Sequence, residues 1–145
     1  MEKTAKKRII VQGVIFTVSF AFAFFGAKYL FSNNKDTPNE MLVKNSKEMN
    51  KSMPKMLDAQ IRLDSTSVEN VTLNYYYTLI NIDKDSTFLD FETVKSEMIK
   101  KAQGNLDTNP VMKEYRENNI SLHYILKDKN KNSIFDYTVK NKTEN

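Results

Sequence analysis

Residues 9–31, IIVQGVIFTVSFAFAFFGAKYLF, run apolar without a charge until Lys28. As a helix rising about 1.5 Å per residue, such a run covers about 30–35 Å, enough to cross a bilayer with some tilt. No buried helix of a domain this small needs that much unbroken apolar surface. The run therefore predicts a transmembrane helix, with the lipid bilayer as its partner. Lys3, Lys6, Lys7 and Arg8 precede it against Glu2 alone, and the SNNKD that follows is nearly neutral. Positive flanks stay in the cytoplasm, so the expectation is a single-pass protein of the inner (cytoplasmic) membrane with its carboxyl-terminal part in the periplasm or outside. Ala21-Phe22-Ala23 fits a small-x-small cleavage signal, but a cut there leaves FFGAKYLF at the new terminus. An uncleaved signal anchor is the better expectation. Within it Ser19, Ala23 and Ala27 recur every four residues, a spacing that permits close helix approach and a homodimer.

The net charge of +4 does not point to nucleic acid. Residues 1–32 hold five Lys/Arg and one acid, whereas residues 33–145 hold 17 of each. The excess belongs to the anchor, and a nucleic-acid partner needs a basic face. With no cysteine in the chain, neither a disulfide nor a lipidated cysteine is available. The outer part must be held by its core alone.

That part opens on TPNE, residues 37–40, a helix start in which Thr37 caps, Pro38 fits the first turn and Glu40 reaches back to the cap amide. The helix is expected over 38–52, stopped by Pro54, either packed on the domain or standing as a stalk. From Ile61 the pattern changes to period two: Ile61 and Leu63 alternate with Arg62 and Asp64. After a turn at Glu69-Asn70, Val71, Leu73, Tyr75, Tyr77 and Leu79 alternate with Thr72, Asn74, Tyr76 and Thr78. In a half-buried strand Tyr75 and Tyr77 face the core and Tyr76 looks outward, so TLNYYYTLI is not an aromatic platform. A helix is expected from Asp90 to Gln103, ended by Gly104, with Phe91, Val94, Met98 and Ala102 as its stripe. Asn109-Pro110 signals a second helix burying Met112 and Tyr115. Strands over Ile120–Leu126 and Phe135–Val139 complete the order β-β-α-α-β-β. The predicted fold is a two-layer α+β domain, a four-stranded antiparallel sheet with helices on one face. The divisions are a cytoplasmic tail (1–8), the anchor (9–31), a linker with its helix (32–56), the domain (57–142) and a disordered tail (143–145).

Few residues look chemical. DKNKNS, 128–133, starts like a calcium loop, but Ser133 stands where glycine is needed and Val139 where the bidentate glutamate belongs. A hairpin turn is the better reading. His123 is the sole histidine, so zinc is not expected; it falls on the strand face opposite the core, where solvent is the expected neighbour. No nucleophile elbow or glycine-rich phosphate loop occurs, and neither a cofactor nor enzymatic activity is expected. Arg62 and Asp64 share the outward side of their strand and are expected to neighbour Asn74, Tyr76 and Thr78. On this surface charge, amide and aromatic groups converge, as a binding site requires; the plain alternative is a polar sheet face with a cross-strand ion pair.

NKSMPKMLDAQIRLDSTSVENVTLNYYYTL, residues 50–79, resembles a group of small, uncharacterised bacterial envelope proteins with an N-terminal anchor or lipid signal. Pro54, Asp58, Arg62, Leu63, Asp64, Tyr75 and Tyr77 are the matching positions. YRENNISLHYILKDKNKN, residues 115–132, is similar to that group's helix end, strand and turn. Members often carry a cysteine pair that this chain lacks. The arrangement of sheet and helices also resembles that of secretion pilotins. The resemblance implies envelope location and an α+β fold, and no activity. The leading expectation is a membrane-anchored interaction module, an accessory of an envelope or secretion assembly with a protein partner. The rivals are an immunity protein against an exported toxin and an envelope hydrolase working through His123.

Overall fold

A computed structural model describes residues 36–142. The anchor, the Ser19, Ala23 and Ala27 spacing and the tail at 143–145 lie outside the described residues. Among those described, no helix is long and apolar enough to cross a membrane.

Helix α1, Pro38–Asn50, begins as its sequence dictates. The Thr37 hydroxyl accepts from the Glu40 amide, and the Glu40 carboxylate accepts from the Thr37 amide at 2.9 Å and its hydroxyl at 2.8 Å. The Thr37 amide, then its hydroxyl, hold the Glu40 carboxyl below its ordinary value. The helix is no free stalk. Met41, Leu42 and Met49 are buried and α1 packs on strand β2. Asn50 fixes the contact: its side chain accepts from the Thr66 amide at 2.7 Å and donates to the Thr66 carbonyl at 2.8 Å. The Ser46 hydroxyl meets that of Thr66 at 2.9 Å beside it.

The sheet has five strands in the order β1 (Lys55–Met56), β2 (Ile61–Glu69), β3 (Thr72–Leu79), β4 (Ser121–Lys127) and β5 (Ser133–Val139). Between β3 and β4 lie helix α2 (Phe91–Thr108), a 3-10 turn (Pro110–Met112) and helix α3 (Lys113–Glu117). The α+β class and the one-sided helix layer hold, but the four-stranded antiparallel sheet is corrected. The sheet is five-stranded and mixed, because β3 and β4 run parallel. The reason is helix length. The 18 residues of α2 cover about 27 Å, the length of β3, and carry the chain back to the end where β3 began. A second helix of equal length would have returned it for an antiparallel pairing. α3 has five residues and does not. The added strand, β1, is two residues long, too short to register as alternation.

α2 also runs past Gly104 to Thr108. Val94, Met98, Ala102 and Leu106 form one buried stripe, and burying Leu106 outweighs the roughly 1 kcal/mol that a helical glycine costs. The 3-10 turn is capped by Asn109, whose side chain accepts from the Val111 amide at 3.0 Å. Arg116 donates to the Leu106 and Asn109 carbonyls at 2.7 and 2.9 Å, closing the end of α2.

The core lies between the helices and one sheet face. Tyr75 and Tyr77 point into it and Tyr76 does not. Their rings continue across the sheet: Tyr75 and Tyr124 are 5.5 Å apart and Tyr124 and Tyr137 are 4.8 Å apart, each pair near parallel. Such cross-strand aromatic pairs stabilise beyond their area.

Candidate interaction face

The second sheet face is built by parity. On β3, Thr72, Asn74, Tyr76 and Thr78 fall opposite the core residues; on β4 their neighbours are Ser121, His123, Ile125 and Lys127. β2 changes parity in mid-strand. Ile61 and Leu63 face the core before the bulge at Asp64, and Thr66 does so after it. Arg62, Asp64 and Ser67 therefore all meet the polar face.

The five residues singled out from the sequence are brought together, in two groups rather than one. The Arg62 guanidinium contacts Asp64 at 2.5 Å, and the Thr78 hydroxyl donates to the other Asp64 oxygen at 2.6 Å. The expected cross-strand ion pair is thus within one strand, between residues two apart on the same face. Asn74 and Tyr76 instead meet Ser67: the Asn74 amide donates to its hydroxyl at 3.1 Å, and the Tyr76 hydroxyl lies 3.0 Å from it. His123 is not merely solvated. Its Nδ1 is 2.9 Å from Asn74 Oδ1 and its Nε2 is 3.0 Å from Asp136 Oδ2. The chain Tyr76–Ser67–Asn74–His123–Asp136 crosses four strands. Asn74 and Thr78 are 6% and 5% exposed, so the network is a packed layer.

Ser67, His123 and Asp136 were missing from the sequence-derived site. The signal for Ser67 was the shift of buried positions from odd to even between Leu63 and Val68. His123 and Asp136 join only because β4 lies beside β3, which follows from the parallel crossover. Chemically the face offers donors and acceptors, yet both histidine nitrogens are engaged and neither reaches Ser67. No group of three His, Cys, Asp or Glu side chains able to hold a metal occurs among the described residues.

DKNKNS is the β4–β5 hairpin turn, with Lys131 at φ 68°. Asp128 is fully buried, accepting from the amides of Asn130 at 2.8 Å, Asn132 at 2.9 Å and Lys84 at 3.1 Å. Burial opposes its ionisation, and the Lys84, Asn132 and Asn130 donors outweigh that, holding the carboxyl below its ordinary value. It ties the 83–86 loop to the hairpin.

No curated protein matches the sequence. The model of a Domain of unknown function (DUF8479) matches residues 37–135. Among solved structures, a protein of Pseudomonas aeruginosa described as secreted aligns with a TM-score of 0.58 at 14% identity, over 70% of this chain and 88% of that one. EpsS, the pilotin from the Vibrio vulnificus type 2 secretion system, gives 0.53 at 11% identity, over 70% and 86%. The type II secretion system pilotin AspS from Vibrio cholerae gives 0.50 at 11%, over 70% and 87%. The fold is pilotin-like.

Proposed function

Because the chain belongs to the Domain of unknown function family DUF8479 and folds like a pilotin, we propose that it is an accessory protein of a bacterial envelope or secretion assembly. Residues 9–31 anchor it in the inner membrane, with Ser19, Ala23 and Ala27 as the contact face where two anchors meet. The domain stands outside the cytoplasm and docks a protein partner on the polar sheet face. The observation that carries this reading is the layer from Arg62 to Asp136, which no helix covers among the described residues. Side chains already hydrogen-bonded to one another have less freedom to lose on docking. A non-enzymatic role is favoured because both nitrogens of His123 are occupied, leaving no base beside Ser67.

The test is a photo-crosslinking amino acid placed in intact cells at Tyr76, with Lys101 on the exposed side of α2 as control. An adduct to an identified envelope or secretion component from Tyr76 alone is the expected result. No adduct from Tyr76, or equal adducts from both positions, refutes docking on this face. Full-length chain in the aqueous lysate without detergent refutes the anchor.

A further inference from the structure

His123 faces two acceptors. Asn74 Oδ1 lies at its Nδ1 and the Asp136 carboxylate at its Nε2. A neutral imidazole has one N–H and satisfies one of them; an imidazolium satisfies both. The next links follow. With Oδ1 turned to the ring, the Asn74 Nδ2 donates to Ser67 Oγ, which leaves the Ser67 hydrogen free to go to Tyr76 Oη 3.0 Å away. When Ser67 donates in this way, the Tyr76 hydrogen is free to point away from the network.

Loss of one proton to solvent reverses this order. Asp136 only accepts while ionised, so Nε2 keeps its hydrogen and Nδ1 becomes an acceptor. The Asn74 amide turns to present Nδ2 to the ring, its Oδ1 takes the Ser67 hydrogen, and Ser67 Oγ takes that of Tyr76. We propose that His123 is a proton switch that holds the Tyr76 hydrogen inward when the ring is neutral and frees it as a donor to whatever docks on this face when the ring is charged; the switch rests on the docking role proposed above. Asp136 on β5 is the charged group that touches the ring. Lys127 on β4, Tyr76 on β3 and Arg62, Asp64 and Glu69 on β2 are the other titratable or charged groups of this face, and Arg62 pairs with Asp64. No helix adds a group to this face among the described residues.

The only histidine of the chain gives a single ring signal on selective ¹⁵N labelling. The full chain in detergent micelles is titrated by NMR between about pH 5 and pH 8, where histidines change charge. Both ring nitrogens are expected to be protonated at the acidic end, with Nδ1 alone losing its proton. The Asn74 side-chain amide and the Tyr76 ring carbon bearing oxygen shift with the same midpoint. In Asn74→Ala the ring still titrates and the Tyr76 shift disappears. Asn74 and Tyr76 signals that stay flat through the ring's step, or loss of the Nε2 proton instead, overturn the switch. The wild-type titration decides this even where a variant does not fold. It uses no partner, so its failure is separable from a failure of docking, which the crosslinking reads.

Discussion

Raising the pH should unfold this domain steeply, for a reason visible in its core. Tyr75, Tyr77, Tyr115, Tyr124 and Tyr137 are buried, and burial pushes each phenol above its ordinary value. A raised folded value contributes stability that is complete below the unfolded value, about 10, and is lost as pH rises through the folded one. In that window each phenol ionises in the unfolded chain alone, at about 1.4 kcal/mol per pH unit. Five of them acting together remove about 7 kcal/mol for each pH unit of that window. A domain of this size holds about 5–15 kcal/mol, so it should unfold within about two units above pH 10. The assay is a pH titration of the full chain in detergent, followed by tyrosinate absorbance and by circular dichroism of the sheet. Ionisation of the core phenols and loss of the sheet should coincide in one cooperative step. Core tyrosinate forming near pH 10 with the sheet intact refutes the reasoning. Tyr137→Phe sharpens the test, since its hydroxyl is buried with no hydrogen-bond partner. The variant should be unchanged or about 1 kcal/mol more stable at neutral pH. It should also unfold at a higher pH, because four phenols drive the transition.

Asn50→Ala should cost about 2–3 kcal/mol in urea denaturation, because it strands the Thr66 amide and carbonyl. Asn50→Asp should recover part of that, keeping the acceptor and losing the donor. Asp128→Asn should be destabilised most at neutral pH. The Asp128 folded value is depressed, so its stability is present above about pH 3.9 and fades as pH falls through the folded value; the gap to wild type should close in acid denaturation. A double-mutant cycle on Arg62 and Asp64 should give a coupling under about 1 kcal/mol, since both side chains are partly exposed. A much larger value would make the pair a fold determinant rather than part of a surface.

Much of the fold was legible because its signals are local. The Thr37–Glu40 cap, the Asn109 cap and the inward Tyr75 and Tyr77 follow from a few consecutive residues. Gly104 misled because a local stop signal competes with a buried stripe that continues to Leu106. In β2, strict alternation hides the bulge, yet the bulge brings Ser67 onto the face that Arg62 and Asp64 already share.

The apolar run, the basic flank, the neutral charge balance after residue 32 and the side on which each residue of β3, β4 and β5 falls are properties of sequence, because they depend on composition and on a period of two. Which strand lies beside which is not. His123 is 49 residues from Asn74 and 13 from Asp136 along the chain. They meet because one long helix returns the chain to the start of β3, and the parallel pairing then places β4 in register against it. Helix length and sheet closure are decided by packing of the whole domain, so the polar layer exists only at that level.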